Sequence, residues 1–208
     1  VEAKGEAAEW STIADRESSA HVLAYCRSRL PGSFSEEDIN DERFLYDEEW
    51  EVDPLDGTLE FRLGQEGFAV QAALLSRMNG LYVPVAGLIY LPPSRKMYYG
   101  TQEHGPFFEA DVVRGDIGAL ITDRIVVANR GAEPWPQIEA FSKYCGGLEL
   151  VNTGVAGHTI AALLEGKINC YIVPIRISSE WDFSMAEPMV GSLGGRITDK
   201  DGIPLTYN

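Results

Sequence analysis

The chain has 208 residues, of which 45% are hydrophobic, and it carries a formal net charge of −15. This length and apolar content are enough for one large folded domain or two small ones. Its 17 Lys and Arg residues form no long run among the 32 Asp and Glu residues, so we expect no nucleic acid polymer as a partner.

Hydrophobic periodicity predicts a helix and then an antiparallel sheet in the first half of the chain. Apolar or small residues recur at three- and four-residue spacing over residues 18–30, and Pro31-Gly32 ends the pattern. The pair Asn79-Gly80 between two apolar runs is a strong signal for a β-hairpin. Strands are predicted at residues 33–34, 44–52, 68–75, 84–91 and 96–101.

In the second half of the chain, strands and helices alternate. Asp182 is predicted to cap a last helix that carries Met185 and Met189 and ends at Gly194-Gly195. We therefore expect an α+β subdomain over residues 1–115 and an α/β subdomain over residues 116–208. Strands are predicted at residues 125–128, 148–151 and 170–175, and helices at 136–144 and 157–164.

Residues 53–58, Asp-Pro-Leu-Asp-Gly-Thr, combine two carboxylates with a rigid turn. Because proline fixes φ and has no N–H, a strand that ends at Val52 would turn here and hold Asp53 and Asp56 at its mouth. The carbonyl of Leu55 is a third possible oxygen ligand for a hard cation. The alternative interpretation is an ordinary surface turn, since Asp, Pro and Gly are common in turns.

Gly57 and Thr58 add possible phosphate donors to this motif. Their N–H groups and the Thr58 hydroxyl could contact a phosphate oxygen, because glycine tolerates backbone conformations that other residues resist. An acidic chain repels a free phosphate ester, so a bound divalent cation would have to supply the attraction. Further acids at Glu36-Glu37 and Asp182 could converge on the same site.

The glycine-rich stretch 152–157 is a second element that could face phosphate. It is typical of a strand-to-helix turn, and the N–H groups of Gly154, Val155 and Ala156 could hold an oxyanion. The alternative is an ordinary helix start. His158 could contact phosphate or be satisfied by a backbone carbonyl, and Arg176 could contact a second phosphate or lie in a solvated loop.

The three cysteines, Cys26, Cys145 and Cys170, are odd in number and show no Cys-x-x-Cys spacing. They predict neither a disulfide framework nor a zinc site, and we expect a reducing, cytoplasmic environment. No apolar run approaches the length of a membrane-spanning helix. We therefore expect no membrane partner.

Four groups of residues occur in an order that resembles the inositol monophosphatase superfamily of lithium-sensitive, magnesium-dependent phosphatases. These groups are Asp15, Glu36-Glu37, the 53–58 motif and Trp181-Asp182. The details resemble the 3′(2′),5′-bisphosphate nucleotidase branch at residues 35–38, 53–61 and 202–207. The resemblance implies a layered αβαβα sandwich of the inositol monophosphatase and fructose-1,6-bisphosphatase type. It also implies a small phosphorylated metabolite as partner, with the chain as a monomer or homodimer.

The resemblance further implies a role for each motif residue. Asp15 matches an acid near a third metal and is expected to pair with Thr58 to orient the attacking water, and Glu36 is the candidate base. Two or three Mg²⁺ ions would be bound by Glu36, Asp53, the Leu55 carbonyl, Asp56 and Asp182. The substrate side would be formed by Asp56, Gly57, Thr58, Gly154, Val155, Ala156, Arg176 and Asp182. These motifs contain no His or Cys that would favour zinc.

The branch motifs favour removal of the 3′-phosphate of adenosine 3′,5′-bisphosphate, or of its 5′-phosphosulfate relative, by water activated by several metal ions. Residues 154–158 depart from the Gly-Ser-Ser-Leu-Lys of that branch, and residues 183–188 depart from the family's Ala-Ala-Gly run. Inositol monophosphatase activity is therefore the enzymatic alternative. A third hypothesis is a non-catalytic, metal-binding scaffold that kept the fold.

Overall fold

The computed structural model of the chain describes residues 2–4, 9–108, 111–112, 124–128, 136–168, 170–173 and 178–207. Its helices are α1 Ile13–Arg27, α2 Thr58–Arg62, α3 Pro136–Tyr144, α4 Ala156–Leu164 and α5 Ala186–Ser192, with short 3₁₀ helices at Arg43–Leu45 and Glu180–Asp182. Its strands are β1 Glu2–Lys4, β2 Glu9–Ser11, β3 Phe34–Ser35, β4 Glu48–Asp56, β5 Ala69–Met78, β6 Leu81–Leu91, β7 Lys96–Thr101, β8 Phe107–Phe108, β9 Asp111–Val112, β10 Arg124–Ala128, β11 Glu149–Thr153 and β12 Cys170–Ile172.

The strands in the described part of the chain form one large sheet and two small ones. Strands β3 to β9 lie side by side in chain order, and each neighbouring pair is antiparallel except β3 with β4. Strands β10, β11 and β12 form a parallel sheet with β10 in the middle, and β1 pairs with β2. The predicted hairpin at Asn79-Gly80 is confirmed, since β5 and β6 pair directly across it.

Helix α1 begins five residues before the predicted start. Thr12 precedes it and forms a capping box with Asp15, because the Thr12 N–H donates to Asp15 Oδ2 at 2.6 Å while the Asp15 N–H donates to the Thr12 hydroxyl oxygen. The cap satisfies N–H groups that the first helical turn leaves without partners. It also fixes the Asp15 carboxylate at the start of the helix.

Strand β4 does not end at Val52, so the predicted turn at the Asp-Pro motif is wrong. The strand continues to Asp56, and its pairing with β5 passes from Asp53 opposite Gln71 to Asp56 opposite Ala69. Three steps along β4 therefore match two steps along β5, which is the geometry of a β-bulge. Proline is tolerated at such a bulge because no ladder hydrogen bond is required of it.

The last helix also starts later than predicted. Helix α5 begins at Ala186 and has no side-chain cap, whereas Asp182 lies in the preceding 3₁₀ helix and accepts a hydrogen bond from the Ser179 N–H at 2.7 Å. Asp182 thus caps a different turn from the one predicted. Pro188 lies in the first turn of α5, where a missing N–H is tolerated.

The main core lies between the large sheet and helices α4 and α5. Its most deeply buried side chains are Leu75, Ile89, Tyr98, Ile160, Leu164, Met185 and Met189. The start of α5 packs directly on β6 at Gly87, where an added Cβ would lie 1.7 Å from the Met185 carbonyl oxygen. The 3₁₀ helix Glu180–Asp182, which precedes α5, contacts β4.

Phe44 and Leu45 of the predicted strand 44–52 lie instead in the 3₁₀ helix Arg43–Leu45, and β4 starts only at Glu48. Most of the remaining predicted elements agree closely with the structure. Helix α3 matches its predicted limits, α4 begins one residue earlier than expected, and β10 and β11 occupy the predicted regions. Strand β12 covers Cys170–Ile172, and residues 174–175 of the predicted strand lie outside the described residues. In the part of the chain that the structure describes, no helix has the length and hydropathy needed to cross a bilayer.

Candidate metal centre and active site

Three aspartates converge where the β4 bulge meets the 3₁₀ helix Glu180–Asp182. Carboxylate oxygens of Asp53, Asp56 and Asp182 all lie within 4.8 Å of one another. Asp53 and Asp56 are only 3% and 6% exposed, so the cluster is largely shielded from water. The structure therefore brings together three of the acids that the sequence predicted as metal ligands.

The cluster is electrostatically strained without a cation. Burial raises the pKa of Asp53 well above its ordinary value, and the nearby charges of Asp56, Glu36 and Asp182 raise it further, against a hydrogen bond that the Leu55 N–H donates. Leu55 donates to Asp53 Oδ1 at 3.0 Å. An all-oxygen donor set of this charge fits a hard divalent cation such as Mg²⁺.

Asp56 is held in place by donors from two distant elements. Gln71 Nε2 and the Gly157 N–H both donate to Asp56 Oδ2, at 2.5 and 2.6 Å. Gly157 belongs to the glycine-rich turn that was predicted to face phosphate, and its N–H instead contacts a protein carboxylate. The first turn of α4 is thereby fixed to the cluster of Asp53, Asp56 and Asp182.

Gly157 leaves no room for a side chain beside Asp56. An added Cβ would lie 2.7 Å from Ala69 Cβ and 3.2 Å from Asp56 Oδ2. We expect Gly157→Ala to displace Asp56 and to weaken Mg²⁺ binding about tenfold or more, the usual loss when a group that orients a metal ligand is disturbed. Isothermal titration calorimetry measures this change. Gly191→Ala on α5, which would meet only the flexible end of Gln102, is the matched control, and equal affinities in both variants would contradict the prediction.

Thr58 and Asp15 are in direct contact beside the cluster. The Thr58 hydroxyl lies 3.0 Å from Asp15 Oδ1 and 3.2 Å from the Leu55 carbonyl oxygen, and both are acceptors for its single proton. The Asp15 carboxylate also accepts from the Thr12 N–H, so its position is fixed. The contact expected between Thr58 and Asp15 is present, and their role with water stays a prediction.

Gly57 makes the turn between the bulge and α2 possible. Its φ of 86° lies in the left-handed region, and an added Cβ would lie 2.6 Å from the Gly67 carbonyl oxygen. Any other residue would be strained and crowded at this position. Thr58 is thereby placed at the first position of α2, facing Asp15.

Comparison with known proteins identifies the family. The model of the inositol monophosphatase family matches residues 1–208. The chain belongs to the inositol monophosphatase family.

Relatives of this family member include a 3′(2′),5′-bisphosphate nucleotidase CysQ of Aggregatibacter actinomycetemcomitans. It is 30% identical over 174 residues, which cover 80% of this chain and 61% of that protein. A 3′-phosphoadenosine 5′-phosphate phosphatase of Mycobacterium bovis is 27% identical over 201 residues, 93% of this chain and 71% of that protein. The chain thus spans less than three quarters of the length of either relative.

A solved structure confirms the predicted fold class. The extragenic suppressor protein suhB from Bartonella henselae superposes with a TM-score of 0.79 at 26% identity, covering 97% of this chain and 78% of that one. The layered α+β fold of the inositol monophosphatase type is therefore the fold of this chain. The predicted division near residue 115 stays a prediction.

The predicted substrate side of this family member is only partly described. Val155 is buried and packs beside Gly57, whose added Cβ would lie 3.0 Å from Val155 Cγ2. His158 contacts the Phe68 carbonyl oxygen through Nε2 at 3.3 Å, and burial lowers its pKa, which agrees with the backbone-satisfied alternative. Arg176 lies outside the described residues.

Glu60 was missed as a residue of the site. Its Oε1 lies 2.5 Å from the position of an added Cβ on Gly154, so its carboxylate flanks the glycine-rich turn. Glu60 belongs to the 53–61 motif, and its position two residues after Thr58 was the available signal. It places an additional negative charge beside the predicted phosphate-facing turn.

Glu49 and Glu51 were also missed, although they lie on the same strand as Asp53. Both are 1% exposed, and burial raises the pKa of Glu49 to about 7 and that of Glu51 well above its ordinary value. The alternation of Glu49, Glu51 and Asp53 along β4 was the signal. Three buried carboxyl groups therefore share one face of this strand.

These raised pKa values predict an unusual pH dependence of stability. The unfolded glutamates ionise near pH 4.5, whereas folded Glu49 keeps its proton until about pH 7, so the metal-free protein should lose stability as pH rises through this window. We expect the urea midpoint in EDTA to be lower at pH 7.5 than at pH 5.5. Glu49→Gln should reduce the difference between the two urea midpoints. Mg²⁺ should offset the loss of stability by binding the ionised carboxylates of Asp53, Asp56 and Asp182. A urea midpoint that rises over the same interval in EDTA would refute this expectation.

Proposed function

We propose that this inositol monophosphatase family member is a Mg²⁺-dependent phosphatase. The observation that carries the proposal is the cluster of the buried Asp53 and Asp56 with the half-buried Asp182, whose carboxylate oxygens lie close together. Three carboxylates so close together, two of them buried, are costly to keep ionised unless cations neutralise them. Thr58, which is hydrogen-bonded to Asp15 beside this cluster, would position the attacking water.

The proposed ligands of two or three Mg²⁺ ions are Glu36, Asp53, the Leu55 carbonyl, Asp56 and Asp182. Bound there, the ions would activate a water molecule and stabilise the leaving oxygen of the phosphate ester. Gln71 and the Gly157 N–H keep the Asp56 carboxylate in one orientation. Burial of Asp53 and Asp56 excludes bulk water from the cluster and strengthens electrostatic interactions there.

Thr58 would orient the attacking water. Its proton is directed to Asp15 and the Leu55 carbonyl, so the hydroxyl oxygen can accept a hydrogen bond from water. Glu36 is the candidate base that would receive the other proton of this water. The main chain of Glu36 is fixed by the hydrogen bond that its N–H donates to the Val52 carbonyl. The phosphate would lie against Gly57, Thr58, Gly154, Val155 and Ala156, with Arg176 toward a second phosphate.

The proposed substrate is adenosine 3′,5′-bisphosphate or its 5′-phosphosulfate relative, from which the 3′-phosphate is removed. The motifs at residues 35–38 and 53–61 support this choice, and so do the names of the CysQ and 3′-phosphoadenosine 5′-phosphate phosphatase relatives. Inositol phosphate is the second candidate. Inositol phosphate is favoured because His158 occupies the position of a lysine in the nucleotidase branch, and His158 contacts the Phe68 carbonyl.

Phosphate release with Mg²⁺ from adenosine 3′,5′-bisphosphate and inositol 1-phosphate tests the proposal. We expect a higher kcat/KM for the nucleotide and inhibition by lithium. A clear preference for inositol 1-phosphate would replace the substrate assignment without removing the phosphatase. No turnover of any nucleotide, inositol or sugar phosphate would instead support the non-catalytic scaffold.

A further inference from the structure

Arg43 is a charged residue whose side chain is largely buried. It begins the 3₁₀ helix Arg43–Leu45 and is 8% exposed. Its guanidinium lies over two aromatic rings, with the central carbon 4.1 Å from the centre of the Phe34 ring and 4.7 Å from that of the Phe44 ring. A planar guanidinium packs well on aromatic faces. The Arg43 side chain is therefore held in place by its neighbours.

This guanidinium binds a segment from the other end of the chain. Arg43 Nη1 donates to Glu180 Oε1 at 3.0 Å, and this contact joins residues 137 positions apart. The two side chains are 10% and 21% exposed, so water screens their attraction less than it screens an ion pair on the surface. The ion pair therefore ties the 3₁₀ helix Glu180–Asp182 to the first half of the chain.

Glu180 and Asp182 belong to the same turn of that helix. A 3₁₀ helix has three residues per turn, so side chains two residues apart point in different directions. Glu180 can therefore bind Arg43 while the Asp182 carboxylate lies in the cluster of three aspartates. The hydrogen bond from the Ser179 N–H to Asp182 Oδ2 lies within one segment, so it orients this carboxylate without attaching the segment to β4.

Arg43 also ends the loop that begins at Glu36. The Glu36 N–H donates to the Val52 carbonyl of β4 at 3.1 Å, and the Tyr82 hydroxyl of β6 lies 3.0 Å from the Arg43 carbonyl oxygen. Both ends of the loop are thus attached to the large sheet. Through its side chain, Arg43 connects this attached loop to the segment that carries Asp182.

We propose that Arg43 is a positioning residue that holds Asp182 in the metal cluster through Glu180. This inference rests on the proposed role of Asp182 as a ligand of Mg²⁺. Mg²⁺ demands nearly ideal octahedral geometry, whereas Ca²⁺ accepts more ligands in a flexible arrangement. Without the ion pair the cluster should therefore lose affinity for Mg²⁺ more than for Ca²⁺.

Isothermal titration calorimetry of Arg43→Met with Mg²⁺ and with Ca²⁺ tests the proposal. Because this change removes a positive charge near an anionic cluster, electrostatics alone would raise the affinity for both cations by a similar factor. A positioning role predicts the opposite sign, with about a tenfold loss of Mg²⁺ affinity and a smaller loss for Ca²⁺. Arg43→Lys keeps the charge and should restore most of the Mg²⁺ affinity.

Glu180→Gln removes the same ion pair without changing the aromatic contacts of Arg43, so it tests the proposal even if Arg43→Met does not fold. It should also lower the affinity for Mg²⁺ more than that for Ca²⁺. Arg29→Met is the matched control, because it removes another guanidinium that lies over a ring, 3.7 Å from the centre of Tyr25, on the exposed surface. That variant should leave both affinities within about twofold of normal.

The outcomes separate this inference from the proposed function. Unchanged or higher Mg²⁺ affinity in Arg43→Met overturns the positioning role and leaves the phosphatase proposal intact. Equal losses for Mg²⁺ and Ca²⁺ in Arg43→Met or Glu180→Gln do the same. Absence of Mg²⁺ binding by the unmodified protein overturns the metal centre and the inference together. These titrations require no turnover, so they give the same answer for an enzyme and for a metal-binding scaffold.

Discussion

Replacement of Asp53 by asparagine is expected to reduce Mg²⁺-dependent phosphate release about 10³-fold, because metal ions supply several kcal/mol to such reactions and each 1.36 kcal/mol is tenfold in rate. The fold should survive, since asparagine keeps the oxygen that accepts from the Leu55 N–H. The substitution also removes one charge from a buried, mutually repelling cluster. We therefore expect the metal-free variant to be at least as stable as the unmodified protein.

The measurement is steady-state phosphate release at saturating substrate, with circular dichroism and thermal unfolding in EDTA as the test of folding. Glu48→Gln removes one charge from the exposed side of the same strand and should leave the rate within about twofold of normal, as for surface substitutions generally. Full activity in Asp53→Asn would contradict the role of this carboxylate. Lost activity together with a lowered unfolding temperature would show that the effect is structural.

Gly87→Ala is expected to lower the free energy of unfolding by about 3 kcal/mol, at the upper end of the usual range for overpacked positions. The added methyl carbon would lie 1.7 Å from the Met185 carbonyl oxygen and 2.6 Å from its carbon, and a main chain cannot rotate away as a side chain can. Helix α5 would have to lift from β6. For a protein of this size, the melting temperature should fall by about 6–12 °C.

Thermal and urea unfolding in EDTA measure this loss without interference from bound metal. Gly67→Ala is the matched control, because its added Cβ would meet only Glu60 and Val155 side-chain atoms at 3.5 Å or more. That variant should change stability by no more than about 0.5 kcal/mol. Comparable stabilities for the two variants would show that β6 and α5 are not in the close contact described.

Elements that depend on neighbouring residues were predictable from the sequence. Asn79 and Gly80 have φ values of 53° and 84°, as a two-residue hairpin turn requires, and the flanking apolar runs became β5 and β6. The start of α1 was not predictable from periodicity, because Ile13 in its first turn is 67% exposed. The Thr12 cap determines that start instead.

The aspartates of the candidate site and the pairing of Thr58 with Asp15 were predictable from the motifs, whereas the hydrogen bonds that fix Asp56 were not. Asp53, Asp56 and Asp182 meet as the motifs indicated. The hydrogen bond from Gly157 to Asp56 joins residues 101 positions apart, and no local pattern reveals such a contact. Glu51 is typical of a solvent-facing strand residue by type, and only the packing of distant segments around β4 determines that it is buried.

The bulge in β4 explains how Asp53 and Asp56 can face the same side of the sheet. Asp53 and Asp56 are three residues apart, and on a regular strand an odd spacing sends two side chains to opposite faces. The extra residue that β4 carries between Asp53 and Asp56 restores a common face for both carboxylates. The spacing of the aspartates and the irregularity of the strand therefore require each other, and a regular strand of the same sequence would place the two carboxylates on opposite sides of the sheet.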